Sequence, residues 1–164
     1  MKSNLYLFLF VGSLISSCYS PQKPTTVETT IKETSEVAYD SLLAKEAGAD
    51  DYGMRKYILA NLIAGPNRDQ DSTTAAQLQR AHLDNITRMA KEGQLVIAGP
   101  FMDDGDIRGI YIFAVETIEE AEALTRTDPA IKAGRLKMEL RPWYGPAALM
   151  LMEDLHKKLT KKEI

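Results

Sequence analysis

Residues 95–115 read LVIAGPFMDDGDIRGIYIFAV: two runs rich in aliphatic and aromatic residues, Leu95–Ala98 and Ile107–Val115, joined through the polar stretch Asp103-Asp104-Gly105-Asp106. Such runs flanking Asp-Gly predict a β-hairpin, because glycine accepts the positive φ that tight hairpin turns use. Upstream, Tyr57–Ile63 is another β-rich run, stopped by Gly65-Pro66-Asn67. Between it and the hairpin, Ser72–Glu92 places Ala75, Leu78, His82, Ile86 and Met89 at spacings of three and four, one face of a helix that Gly93 ends. Downstream, Thr117-Ile118-Glu119-Glu120 has the form of a capping box, so a second helix is expected from Thr117 to about Thr127, where Asp128-Pro129 stops it. Leu136, Met138 and Leu140 then alternate with Lys137, Glu139 and Arg141, the pattern of a half-buried final strand.

The resulting order, βαββαβ, predicts an α+β, ferredoxin-like domain: a four-stranded antiparallel sheet with both helices on one face. The other face would be bare, with Tyr111, Phe113 and Trp143 offering apolar surface there. A homodimer pairing sheet against sheet would cover it. Val37–Ala47 has short helical patterning and is expected to dock as an arm. The tail from Ala147 to Leu159 puts Ala148, Leu151, Met152, Leu155 and Leu159 on one helical face, either packed across the dimer or loosely attached.

The composition of the 164 residues is ordinary and globular, with 45% apolar and 26% charged residues. Twenty Lys and Arg against 23 Asp and Glu give a net charge of -3, so nothing draws the chain toward phosphate backbones and nucleic acid is not an expected partner. The one Cys excludes an internal disulfide and a cysteine-rich metal site within the chain. Its position is informative. Lys2 precedes an apolar run from Leu5 to Ile15, too short for the roughly 20 residues of a membrane-spanning helix, and the run ends in Leu14-Ile15-Ser16-Ser17-Cys18. This resembles a bacterial lipoprotein signal, in which the cysteine is lipidated and becomes the mature N-terminus; the alternative is an ordinary cleaved signal with Cys18 incidental. Residues 19–35, rich in Thr, Pro and charge, bury too little surface to offset their ordering entropy and read as a tether. The expected organisation is therefore a signal peptide (1–17), a tether and arm (18–52), a domain (53–146) and a C-terminal helix (147–164). The domain is expected to be lipid-anchored in the bacterial envelope and to face the periplasm. Tyr19 after the cysteine, where inner-membrane retention uses Asp, points to the outer membrane by analogy with enterobacterial sorting.

His82 sits in the middle of the apolar stripe of the first long helix, where it must face the sheet. Asn85 lies one turn onward, and Asp128 ends the second helix, which this topology sets beside the first. A carboxylate beside an imidazole fixes its tautomer and raises its basicity. The plainer alternatives are a core histidine bonded to backbone and an Asx turn at Asp128 before Pro129. Gly99-Pro100-Phe101 is expected to interrupt the second strand, Gly99 allowing close approach and Pro100 removing a donor, and to shape a pocket wall or a bulge. Arg108, after the hairpin turn, is a candidate anion-binding group.

The segments Arg80-Ala81-His82-Leu83-Asp84-Asn85-Ile86, Glu92-Gly93-Gln94-Leu95-Val96-Ile97-Ala98-Gly99-Pro100-Phe101 and Thr127-Asp128-Pro129-Ala130-Ile131-Lys132-Ala133-Gly134 together resemble the YCII-related (YciI-like) domain, over about Tyr57 to Tyr144. The resemblance implies a dimeric α+β barrel whose site uses the helical His with an Asp, here His82 and Asp128, and chemistry such as dehydrochlorination without metal or organic cofactor. It leads to a cofactor-free proton-transfer enzyme, eliminating or isomerising a small cyclic or carbonyl compound. His82 would be the base and Asp128 its orienter, while Asn85, Gly99, Pro100 and Arg108 would be substrate-binding. The competing reading is a non-catalytic envelope protein that binds a small ligand or serves as an accessory subunit. No nucleophilic-serine motif, phosphate loop or metal-spaced cluster supports a hydrolytic reading.

Overall fold

The computed structural model describes residues 38–162. Val37, the lipidation candidate Cys18, the signal peptide and the tether lie outside the described residues.

The elements are α1 (Ser41–Ala47), β1 (Met54–Ala64), α2 (Ser72–Lys91), β2 (Leu95–Pro100), β3 (Ile107–Phe113), α3 (Ile118–Thr125), α4 (Pro129–Lys132), β4 (Leu136–Pro146), a 3-10 turn (Ala147–Leu151) and α5 (Met152–Leu159). The sheet order is β2-β3-β1-β4, with every neighbouring pair antiparallel. This is the ferredoxin-like α+β fold expected from the order of elements. None of the helices among the described residues is long and apolar enough to cross a membrane.

Local chemistry accounts for the boundaries. Asp71 caps α2, accepting from the amides of Thr73 and Thr74, and Gly93 follows the helix with φ +70. Thr117 and Glu120 close a capping box on α3. That helix stops at Thr125, earlier than expected, because Asp128 begins a second short helix, α4, with Pro129 at its first position. The hairpin forms, although its loop spans residues 101–106 and Gly105 does not adopt a positive φ, so it is not the tight Asp-Gly turn that the sequence predicts.

Ile58, Ala60 and Leu62 of β1, Leu95 of β2 and Tyr111 and Phe113 of β3 join Met89 of α2 and Ala121 of α3 in one buried core between sheet and helices. Tyr111 and Phe113 therefore point into the helical layer, not to the opposite face where the sequence pattern places them. Side chains alternate along a strand, so Tyr57, Leu59, Ile110 and Ile112 take that opposite face. Part of it is covered: the 3-10 turn runs back against β1 and β2, and Tyr57 and Ile112 are buried. On α5 the apolar residues Met152, Leu155 and Leu159 are all exposed. The arm docks through α1, where Ala47 is buried and its carbonyl accepts from Arg55 Nη1 at 3.1 Å.

Candidate active site

His82 lies on the inner face of α2 and Asp128 at the start of α4, both shut away from solvent at 6% and 0% exposure. Their side chains meet, with His82 Nδ1 2.6 Å from Asp128 Oδ2. The other oxygen, Oδ1, accepts from the Ala130 amide at 2.8 Å. Asp128 is thus both the helix cap and the histidine's partner, so the two readings of this residue describe one carboxylate with one task for each oxygen. A carboxylate can only accept, which places the imidazole proton on Nδ1 and leaves Nε2 as a lone-pair acceptor.

Nε2 faces Tyr111, whose hydroxyl lies 3.4 Å away and whose ring is stacked on the imidazole with centroids 6.2 Å apart. Burial, with the nearby Asp128 charge adding to it, pushes the Tyr111 hydroxyl far above the usual tyrosine range and holds it protonated. Tyr111 was not among the sequence candidates. The run Ile110-Tyr111-Ile112-Phe113 is apolar on both faces and carries no alternation from which its facing can be read.

These groups open on a cavity of about 400 Å³ between α2, the sheet and the start of β4. Gly99, Pro100 and Arg108 line it with His82 and Tyr111. The structure differs from expectation in how Gly99 and Pro100 do so. β2 continues through both, Gly99 opposite Ile110 and Pro100 opposite Gly109, and β2 is an edge strand, where a missing amide donor is tolerated. The close approach occurs at Gly109 instead: a Cβ there would stand 2.4 Å from the Gly99 carbonyl oxygen, whereas one on Gly99 would meet nothing. Arg108 is the extra residue of a bulge, since Gly109 pairs with Leu62 while Ile107 pairs with the adjacent Ile63. A bulge re-aims its side chain.

Asn85 does not line the cavity. Its Oδ1 accepts from Arg88 Nη2 and from Thr127 Oγ1, both at 3.0 Å, so it ties α2 to the segment that leads into Asp128. Two arginines absent from the sequence candidates do line the cavity, Arg68 and Arg135. Arg68 follows β1 and Arg135 precedes β4, and a clasp joins the two loops: Gly65 N donates to the Arg135 carbonyl at 2.8 Å and Asn67 N to that of Gly134 at 3.0 Å. Gly134 makes this turn with φ +71. Among the described residues no group of three or more His, Cys, Asp or Glu side chains is gathered as a metal site would need.

The sequence profile of the YCII-related domain matches residues 59–144. The chain belongs to the YCII-related domain family. That span runs from β1 into β4 and contains both members of the His82–Asp128 pair. No curated protein matches the chain. Among solved structures, a 5-chloro-2-hydroxyhydroquinone dehydrochlorinase from Burkholderia phenoliruptrix AC1100, in complex with 2,5-dihydroxybenzoquinone, is similar at 18% identity with a TM-score of 0.40. The likeness covers 54% of this chain and 93% of that one. In this YCII-related domain the excursions beyond the matched span are the arm, the 3-10 turn and α5.

Proposed function

We propose that the domain is a small-molecule enzyme that moves a proton with His82 as general base, eliminating or isomerising a small cyclic or carbonyl-bearing compound without a metal or organic cofactor. The observation that carries this reading is the buried His82–Asp128 pair, with His82 lining the cavity and its Nε2 3.4 Å from the Tyr111 hydroxyl that also lines it. A substrate carbon next to a carbonyl gives its proton to Nε2, and the C–H electron pair moves onto the carbonyl oxygen as an enolate. Collapse of the enolate then either expels a leaving group from the next carbon or takes the proton back at another carbon, giving elimination or isomerisation. Asp128 holds the ring in the receiving tautomer and balances the imidazolium that forms. Tyr111, a protonated donor 3.4 Å from Nε2, is placed to hydrogen-bond the developing oxyanion once substrate displaces its contact with the imidazole. Asn85 supports this geometry at one remove, by holding the segment before Asp128 through Thr127. We further propose that the chain is anchored in the bacterial envelope by lipid on Cys18, with the domain in the periplasm.

The test is exchange of α-protons for deuterium, followed by NMR over a panel of small cyclic ketones and oxo acids. Wild type is expected to exchange at least one compound above buffer. His82→Gln should slow that exchange by about 10²- to 10⁴-fold, the usual worth of a positioned base, and Asp128→Asn by less. His82→Gln exchanging at the wild-type rate, or wild type never exceeding buffer, overturns the proposal and leaves a binding protein.

A further inference from the structure

We infer that the cavity takes a small planar carboxylate, gripped at its mouth by Arg68, Arg108 and Arg135 so that the reacting carbon lies toward His82. This rests on the reading of the cavity as the active site and names its substrate class.

Four of the eight arginines, Arg80, Arg88, Arg126 and Arg141, pair with a carboxylate two or four residues away in the chain, and none of these four lines the cavity. Arg55 lies instead over the Tyr57 ring, its Cζ 5.3 Å from the centroid. The remaining three all line the cavity and, among the described residues, have no carboxylate partner. No Asp or Glu lines the cavity with them.

Their existing hydrogen bonds set their positions and use only part of their donor capacity. Arg68 Nη1 donates to the Arg135 carbonyl at 3.4 Å, Arg135 Nη1 to Gln70 Oε1 at 2.6 Å, and Arg108 Nη1 to the Gly105 carbonyl at 3.2 Å. A guanidinium has five N–H donors, so each retains donors to offer. The three come from separate places in the chain: a loop after β1, a bulge in β3 and the turn into β4. The clasp between residues 65–67 and 134–135 brings two of them together. Three guanidiniums without an ion-pair partner around one concavity make a favourable local field for an anion. A planar fork matches the two oxygens of a carboxylate. The same cavity is also lined by the apolar Leu62, Leu83, Ile86 and Leu136, which fits an apolar carbon skeleton beside the charged group.

The test is isothermal titration of the full-length protein, purified in detergent, with benzoate and with its neutral counterpart benzamide. Benzoate is expected to bind at least about tenfold more tightly than benzamide, and Arg108→Gln and Arg135→Gln should each weaken benzoate by about tenfold, the scale of a lost charge-assisted contact. Arg141→Gln, away from the cavity, should not. Equal affinity for the two compounds, no binding of benzoate, or arginine variants that bind benzoate as wild type does would overturn the inference. Should a variant fail to fold, the wild-type comparison of benzoate with benzamide decides alone. The two readings fail separately. Arginine-dependent benzoate binding without any His82-dependent exchange would sink the proton-transfer proposal and leave the carboxylate site standing. His82-dependent exchange with no preference for benzoate over benzamide would sink only the carboxylate site.

Discussion

Asp128 gives one oxygen to His82 and the other to the Ala130 amide, with no surface of its own exposed to solvent. Removing the imidazole therefore exposes a problem that the pair conceals. His82→Leu leaves Oδ2 as a buried anionic acceptor without its partner, and breaking such a pair on one side costs about 3 to 5 kcal/mol. Adding Asp128→Asn to that variant removes the stranded charge while keeping an oxygen for the Ala130 amide, so the double variant should be more stable than His82→Leu alone. Urea unfolding followed by circular dichroism measures both, and a His82→Leu variant as stable as wild type would refute this account. The His82–Asp128 partnership was legible in sequence, because the helical spacing put His82 on the apolar stripe and the topology put the two helices side by side. Tyr111 was not legible. Arg68 and Arg135 were not either, since they stand in loops 67 residues apart and are joined by backbone hydrogen bonds that no local pattern records.

At the level of elements, three carboxylates hold junctions of the fold and each is held ionised by the bonds it accepts. Hydrogen bonds from Thr74, backbone and then side chain, lower Asp71 below its ordinary 3.8. The Thr117 hydroxyl and then its amide lower Glu120 below 4.5. The Tyr144 hydroxyl, followed by the Met54 amide, does the same for Asp50 at the turn between α1 and β1. A carboxyl depressed on folding stabilises the native state fully above its unfolded pKa, and that contribution disappears as pH falls through the folded value. The melting temperature should accordingly fall as pH drops below about 4, and the variant Asp50→Asn/Asp71→Asn/Glu120→Gln should show a shallower acid limb. An acid limb of unchanged steepness would remove these junctions from the explanation. Caps of this kind are local, which is why the starts of α2 and α3 could be read from a few consecutive residues. The stop at Asp128-Pro129 is legible in the same way, and the expected end of α3 at about Thr127 overruns the observed Thr125 only by the two residues that lead into the Asp128 cap of α4.

For the molecule as a whole, the face of the sheet away from α2 and α3 carries the apolar Leu59 and Ile110 beside the buried Tyr57 and Ile112, and exposed Met152, Leu155 and Leu159 continue that apolar character on α5. A homodimer through this side is expected. Light scattering on residues 38–164 at micromolar concentration should give twice the monomer mass, while metabolic labelling of the full chain with a fatty acid should mark wild type and not Cys18→Ser. A monomer mass would mean that the 3-10 turn and α5 suffice to cover the sheet, and label persisting in Cys18→Ser would end the anchoring proposal. The arm enters the domain beside Met54 and Pro146, which are paired at one end of the β1–β4 ladder, while Arg68 and Arg135 flank the other end at Ala64 and Leu136. Eleven residues of strand separate these two poles, about 35 Å at the usual rise. The arm and these two arginines are thus at opposite ends of one ladder, so a grip on the arm leaves the arginine end of the domain accessible to solutes.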